Sequence, residues 1–304
     1  MAVSRGLASN STQATGAFNL LELLNTFLTT QLPLPQRWVR IYDYTDLFSN
    51  IIVREMVFEA PALTGHDKVF ILASAAVDPF SLSSYWQLRL SNDYDLGSPF
   101  ESQPISSPAV YLPLNEDSFD YTFVANGERV IVLAQIETTN QHAYLGRYKP
   151  YGLVADFPNP VFIGGMSDYA PSFRDDSFGV SAYWDSSGGA YIYHDNIEWL
   201  KVANVEADAG VRTDLSTSPT KTSPYLELVG LLGSNPDGSA TLLNVVIDSS
   251  TYGGNTYGYL DGVYALSGQN QYPGSLITIN LEDYLVTNNS NRINTWSFAA
   301  LRLT

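Results

Sequence analysis

Strand-length apolar runs separated by turn residues extend through most of this sequence and constrain its fold most strongly. The plainest example is DYTFVANGERVIVLAQIE (residues 120–137), in which Asn126-Gly127 separates two apolar runs. Asn-Gly between two such runs is the strongest short-range signal for a β-hairpin, because both residues accept the backbone of a tight turn. This stretch therefore predicts two adjacent antiparallel strands.

Other runs indicate strands of different environments. The almost wholly apolar KVFILASAAV (68–77) predicts a central strand covered on both faces. YWQLRLSN (85–92) alternates, which predicts Trp86, Leu88 and Leu90 on one face of a sheet. Similar strand signals lie at 38–44, 51–60, 110–114, 181–194, 224–248, 275–288 and 297–304. Because strands and helices do not alternate, we expect antiparallel sheets and not a doubly wound parallel sheet.

One segment near the N-terminus has helical and not strand periodicity. Its apolar residues at helical spacing are Leu20, Leu21, Leu24, Phe27 and Leu28. They predict an amphipathic helix at about 18–30, with Asn19 and Glu22 resembling a capping box. Pro33 and Pro35 are expected to end it. The predicted fold class is mainly β, with antiparallel β-sandwich-like domains and one N-terminal amphipathic helix.

We predict three regions along the chain. Residues 1–16 are small and polar, which is typical of a flexible arm or of one that orders on docking. Residues 17–160 would form a β domain with the N-terminal helix, and residues 161–304 a second β domain.

An internal echo supports this division, since three segments recur in the same order. They are 110–114 with 263–266, 126–132 with 280–286, and 143–148 with 299–303.

The junction of the two halves carries an aromatic and cationic cluster. We predict a candidate interaction surface composed of Tyr144, Arg147, Tyr148, Lys149 and Tyr151. Aromatic faces can stack on sugar rings while polar groups fix the orientation. A competing interpretation makes 144–148 the last strand of the first domain, with Tyr144 and Tyr148 on one face. Residues 149–165, which contain three prolines and end in Gly164-Gly165, would then be a stiff connector.

No residue pattern in the sequence indicates enzyme chemistry. The chain has no cysteine, and His66, His142 and His194 lack the local spacing of a zinc site. GGMSDYA (164–170) lacks the second glycine of a G-x-S-x-G serine elbow. The loops 91–98 and 234–239 are explained by turn chemistry and do not match a calcium loop. We therefore predict no catalytic residues, no metal site and no cofactor; an acidic pair at a glycosidase-like separation is the remaining enzymatic alternative.

Charge and hydropathy restrict the partners. The net charge of −16 repels phosphate backbones, so we predict no nucleic-acid binding. The longest apolar run, FNLLELLNTFL, is too short and too polar to span a bilayer, so we predict no membrane insertion. The first 16 residues contain no apolar core of a secretory signal.

Four short motifs lie within 107–165. They are Val110 to Leu114, Phe123 to Val132, Tyr144-Leu145-Gly146, and the proline-containing stretch from Phe157 to Gly165. Together they resemble a family of tail-associated or otherwise virion-borne structural proteins of tailed bacteriophages. The C-terminal 261–303 is similar to the same family, and together these segments cover about a third of the chain. One departure is Phe157-Pro158-Asn159-Pro160, where the family pattern has tyrosines beside the prolines.

The resemblance implies a non-enzymatic structural component of the virion, in the tail, baseplate or neck region. Such a protein is made in the host cytoplasm and works in the virion. Its partners would be other copies of itself and other virion proteins, joined through repeated interfaces. The alternative is a receptor- or carbohydrate-binding module of the same particle, with a host-surface glycan as its partner.

Overall fold

The structure is a computed structural model. It describes residues 1–9, 16–48, 51–61, 68–78, 83–114, 118–136, 139–152, 159–165, 189–194, 198–201, 204–207, 242–249, 255–266, 272–288 and 298–303. Every statement below concerns these residues. The predicted strand signals at 181–188 and 224–241, and the serine motif after Gly165, lie outside them.

The described chain contains one α-helix, α1 (Gly16–Thr26), and nineteen strands. In chain order the strands are β1 (Ala2–Ser9), β2 (Val39–Phe48), β3 (Ile51–Glu59), β4 (Phe70–Asp78), β5 (Ser83–Ser91), β6 (Val110–Pro113), β7 (Ser118–Ala125), β8 (Arg129–Ile136), β9 (Thr139–Arg147), β10 (Lys149–Pro150), β11 (Val161–Gly165), β12 (Gly189–His194), β13 (Glu198–Lys201), β14 (Asn204–Ala207), β15 (Leu242–Ser249), β16 (Asn255–Leu266), β17 (Leu276–Ile279), β18 (Glu282–Asn288) and β19 (Phe298–Arg302). All the strand pairs are antiparallel. The predicted fold class, mainly β with antiparallel sandwich-like sheets and an N-terminal helix, is confirmed.

The first sheet contains β2 to β6 in sequential order. The predicted central strand is β4, which lies between β3 and β5 and is buried on both faces from Phe70 to Val77. On β5, Trp86, Leu88 and Leu90 are buried while Gln87 and Arg89 are partly exposed, as the alternation predicted.

The second sheet lies at the centre of the molecule and has the order β1-β7-β8-β9-β11-β12-β13. The predicted hairpin is β7–β8, in which the backbone amides of Glu128 and Arg129 donate to the Asn126 side-chain oxygen at 2.8 and 3.0 Å. The prediction of a flexible arm is wrong for residues 2–9, because β1 pairs with β7 along its whole length.

The central sheet also corrects the predicted domain boundary between residues 160 and 161. β11 follows that boundary and pairs with β9, which precedes it, at Val161–Arg147 through Gly164–Tyr144. The division therefore passes through one sheet and does not separate two. The predicted connector 149–165 is wrong for 161–165, which form a fully buried strand; residues 153–158 of it lie outside the described chain.

The third sheet has the order β14-β15-β16-β19-β18-β17, with the short β10 added against β16. The internal echo is reproduced in part, since β7-β8-β9 and β17-β18-β19 are both three-stranded meanders. It fails for the first segment pair, because β6 belongs to the first sheet and β16 to the third.

The three sheets form three layers, because the central sheet is apolar on both faces. On β8, Val130 and Val132 pack in the same core as the first sheet and helix α1, whereas Ile131 and Leu133 pack against the third sheet. Successive strand residues point to opposite faces, so the apolar run 130–134 is the signature of this two-sided burial.

Helix α1 packs between the first sheet and the β1–β7 side of the central sheet. Its buried residues include Leu20, Leu21 and Leu24, and a π-helical turn (Phe27–Gln31) continues it up to Leu32, just before Pro33. The predicted capping box is wrong, because the helix begins at Gly16 and Asn19 lies inside its first turn. The Asn19 amide instead donates to the carbonyl of Ser9 and ties the helix to β1.

Candidate functional site

The predicted interaction surface is mostly interior. Tyr144, Arg147 and Tyr148 are buried, and both tyrosines belong to the core between the central and third sheets. The interaction-surface prediction is wrong for these three residues, because all three are shielded from solvent, Tyr144 and Tyr148 by the third sheet. The competing interpretation of 144–148 as a strand with Tyr144 and Tyr148 on one face agrees with this arrangement.

These buried groups have structural partners. The Tyr144 hydroxyl donates to the Arg147 carbonyl at 2.7 Å, and the Arg147 guanidinium donates to the Asn159 side-chain oxygen at 2.8 Å. The Tyr144 ring meets Phe162 edge-on, with 5.6 Å between ring centroids. Burial raises the pKa of both Tyr144 and Tyr148 well above the ordinary value of 10.0. They stay neutral and act as core residues.

Lys149 and Tyr151 are the exposed members of the predicted surface. Lys149 pairs with Glu128 at 3.4 Å, and Tyr151 lies beside Tyr259 of β16, with ring centroids 5.7 Å apart. Both exposed side chains are already engaged, Lys149 with the β7–β8 turn and Tyr151 with β16, and this leaves little area for a ligand. The structure therefore does not bring the five predicted residues together as one accessible surface.

A different region presents an accessible surface, namely the side of the molecule where β1 and β17 lie. Arg5 and Gly6 of β1 line the same cleft as Gly274, which lies just before β17. β1 and the start of the β17 hairpin therefore lie on the same side of the molecule. They are edge strands of the central and the third sheet.

The β1–β17 side exposes three large apolar side chains. Leu7 of β1 is 62% exposed, Tyr272 just before β17 is 74% exposed, and Leu276 of β17 is 57% exposed. The outer edges of β1 and β17 pair with no other strand among the described residues. We call this set, the two edges with Leu7, Tyr272 and Leu276, the edge surface. Sequence reasoning missed it because β1 contains mainly small and polar residues.

A cleft with a volume of about 400 Å³ lies between the central and third sheets beside the edge surface. Its lining combines charged, amide, hydroxyl and aliphatic groups from both sheets. These residues are Arg5, Gly6, Asp120, Tyr121, Thr122, Leu133, Gln135, Asn140, Gly274, Leu285 and Val286. We call it the polar cleft. Gly6 and Gly274 bring β1 and the start of the β17 hairpin to its two sides.

The described residues contain no cluster of metal-ligating side chains. Among them, no group of three or more histidine or acidic side chains lies close enough to hold a metal ion. His142 is buried on β9, and His66 lies outside the described chain. The described part also includes no helix that is long and apolar enough to cross a membrane.

Comparison with known proteins does not assign the chain to a family. The sequence matches no protein-family model and has no significant match among curated proteins.

Proposed function

We propose that this chain is a non-enzymatic structural component of a tailed-bacteriophage virion, in the tail, baseplate or neck region. Its copies assemble with each other and with other virion proteins through repeated interfaces. The sequence motifs of 107–165 support the family, and the edge surface is the structural observation that carries the assembly role.

The edge surface suits assembly for two physical reasons. An open strand edge presents unpaired backbone N–H and C=O groups, which form a template for a strand of another chain. Leu7, Tyr272 and Leu276 add exposed apolar area, and burial of such area favours association by about 25 cal/mol per Å² before the cost of ordering. A folded monomer commonly blunts its edges with lysine or proline, but Leu276 to Ile279 contains neither.

Location in the particle is the direct test. An epitope label on the C-terminus, followed by purification of infectious particles and electron microscopy with labelled antibody, should place the chain at one fixed, repeated position on the tail side. A chain recovered only from the soluble lysate, with none in purified particles, would overturn the proposal.

The second candidate function is a carbohydrate-binding module of the same particle. The polar cleft favours it, whereas the burial of Tyr144, Arg147 and Tyr148 removes the surface from which the sequence suggested it.

A further inference from the structure

We infer that the face of the first sheet turned away from helix α1 binds a basic segment of a partner protein, through the arginine or lysine side chains of that segment. This face combines tyrosine rings with carboxylates. We call the set Tyr42, Tyr44, Tyr94, Glu55 and Glu101 the tyrosine–acid patch. The inference goes beyond the proposed function, because it concerns a surface other than the edge surface and holds whether or not the chain belongs to a virion.

Strand alternation and register place the tyrosine–acid patch on that face. On β3, Phe58 packs in the core with helix α1, whereas Val57 belongs to a separate cluster on the other face. Glu55 is two residues before Val57 and therefore points the same way. Tyr44 is directly opposite Glu55, and Tyr42 is directly opposite Val57. Because opposite residues of an antiparallel pair share a face, both tyrosines lie beside Glu55 on the side away from the helix.

The aromatic part of the tyrosine–acid patch is a continuous row of rings. The Tyr42 ring centroid lies 6.2 Å from that of Tyr44 and 6.5 Å from that of Tyr94. Tyr94 in turn lies 5.9 Å from the ring of Phe70, which is buried on β4. Tyr44 is 48% exposed, and Tyr42 and Tyr94 are partly exposed. A cation above the row can lie within about 6 Å of two ring centroids at once, the distance at which an aromatic face attracts it.

The acidic part of the tyrosine–acid patch has no cationic partner among the described residues. Glu55 is partly exposed and Glu101 is exposed, and neither forms an ion pair with a described side chain. Partial burial, followed by the charges of Glu101 and Asp46, raises the pKa of Glu55 above its ordinary value. A cation beside these carboxylates would relieve their repulsion. The carboxylates therefore add to the attraction that the rings exert on positive charge.

The basic side chains of the first sheet do not supply that charge. Each of those on strands β2 to β6, and Lys68 just before β4, has an acceptor of its own. The pairs are Arg40 with Asp43, Arg54 with Glu22, Lys68 with Glu59, and Arg89 with the carbonyl of Ser107. The cation that complements the tyrosine–acid patch is therefore external to this sheet.

Charge complementarity selects the occupant. A second copy of the chain would bring more negative than positive charge, since it has 31 acidic and 15 basic residues. A nucleic acid would be repelled by the carboxylates. An arginine or lysine side chain can lie on the tyrosine rings while its charge pairs with Glu55 or Glu101. A basic protein segment is the occupant that fits both parts of the tyrosine–acid patch.

Calorimetric titration of the intact chain with defined peptides tests the inference. The probes are a short Gly-Ser peptide that contains arginines and the same peptide with lysines, with citrullines or with glutamates in their place. Citrulline keeps the shape of arginine without its charge. We expect the arginine and lysine peptides to bind and the other two to show no measurable binding. Equal affinity for the arginine and citrulline peptides, or no binding of either cationic peptide, would overturn the inference.

A charge-matched pair of variants locates the binding. Glu55→Gln with Glu101→Gln should weaken binding of the arginine peptide by about tenfold or more, because charge-assisted hydrogen bonds are lost. Asp120→Asn with Glu198→Gln removes the same amount of charge from exposed positions of the central sheet. This control should leave the affinity nearly unchanged. An equal loss in both variants would show a general attraction to an acidic chain and would contradict the tyrosine–acid patch.

A second pair of variants tests the rings. Tyr44→Phe keeps an aromatic face and should bind the arginine peptide nearly as well as the unchanged chain does. Tyr44→Leu should weaken binding by about threefold, because the cation–π attraction is lost. Tyr151→Leu is the matched control, since Tyr151 is 51% exposed, and it should leave the affinity unchanged. Circular dichroism checks that each variant keeps its fold. If Tyr44→Leu binds as the unchanged chain does, the rings take no part and the inference fails.

Further outcomes separate the basic segment from a second copy and from assembly through the edge surface. If the cationic peptides do not bind and the Glu55→Gln, Glu101→Gln variant loses self-association, the tyrosine–acid patch is an interface between copies and the inference is wrong. A chain with a charged edge surface should bind the arginine peptide as the unchanged chain does. Loss of peptide binding in that chain would contradict a site separate from the edge surface.

Discussion

Arg129 of β8 and Asp261 of β16 form a buried salt bridge that joins the central sheet to the third sheet. The Arg129 side chain is 2% exposed, and the second oxygen of Asp261 accepts from Arg302 at 3.2 Å. Gly262 follows Asp261 with a φ of 82°, and a Cβ there would lie 2.7 Å from an Arg129 guanidinium nitrogen. The glycine therefore provides both the backbone conformation and the space that the arginine needs.

Removal of one partner of this salt bridge should lower the free energy of unfolding substantially. Arg129→Met leaves Asp261 with Arg302 alone, in a site shielded from water, and we expect a loss of about 3 kcal/mol in the free energy of unfolding. Denaturant titration measures it. Arg129→Met combined with Asp261→Asn should cost less than the sum of the single changes. The control is Lys68→Met, which breaks the surface pair with Glu59 and should cost less than about 1 kcal/mol. Additive single changes would contradict a direct coupling of the two charges.

The turn between β17 and β18 offers a stabilising change. Asn280 and Leu281 have φ angles of 52° and 67°, the left-handed pair of a two-residue hairpin, and Leu281 is 96% exposed. A leucine in this conformation is strained by about 1–2 kcal/mol, and no buried contact compensates for it. Leu281→Gly should therefore raise the free energy of unfolding by about 0.5–1 kcal/mol after the greater chain entropy of unfolded glycine is subtracted.

Leu96 provides the matched control for that change. It is 76% exposed in a turn, but its φ is not positive. Leu96→Gly should lower the stability or leave it unchanged, because only the entropic cost of glycine remains. Thermal melting of both variants decides the matter. If Leu281→Gly melts no higher than the unchanged chain, the turn conformation is not as described.

The buried tyrosines predict a loss of stability at high pH. Burial raises the folded-state pKa of Tyr144 and Tyr148 above the unfolded value near 10.0. Below pH 10 both tyrosines are protonated in the folded and in the unfolded state, so their contribution to the free energy of unfolding does not change with pH. Above it the unfolded state loses protons that the folded state keeps, so stability should fall by about 1.4 kcal/mol per pH unit for each tyrosine.

Tyr144→Phe isolates one of these contributions. It removes the hydrogen bond to the Arg147 carbonyl and should cost about 1 kcal/mol at neutral pH. Above pH 10 the unchanged chain should lose stability faster than the variant, because the phenylalanine has no proton to lose. The difference between their free energies of unfolding should therefore become smaller. Denaturant titrations at several pH values measure this, and tyrosinate absorbance follows the ionisation. If the difference in free energy of unfolding is the same at pH 8 and at pH 11, folding does not raise the pKa of Tyr144.

The strands that the sequence predicts correctly are those whose own residue pattern indicates which faces are buried. The alternation of Trp86, Leu88 and Leu90 and the apolar run of β4 report the one-sided and two-sided burial directly. The Asn126 turn is equally local, since its side chain completes the turn itself. Helix α1 is predictable for the same reason, although the periodicity starts it at about residue 18 and the helix begins at Gly16.

The features that were missed depend on pairing between distant segments. β1 is an edge strand of mostly small and polar residues, and it is a strand because β7 offers it a partner more than a hundred residues away. Tyr144 is buried because a third sheet, built largely after residue 200, covers β9. The polar cleft likewise needs residues of β1, β7, β8, β9 and β18. No local sequence pattern indicates which sheets pack against each other.

Charge placed on the edge surface should abolish its capacity for association. Leu7→Lys and Leu276→Lys each replace an exposed apolar side chain by a charge on an edge strand, the usual device against edge-to-edge pairing. Because both positions are exposed, the melting temperature should stay within a few degrees of the unchanged chain. Sedimentation velocity over a range of concentrations should show self-association of the unchanged chain and of the Leu96→Lys control, and a monomer for the double edge variant. If the double variant associates as strongly as the control does, the contact between copies lies elsewhere on the molecule.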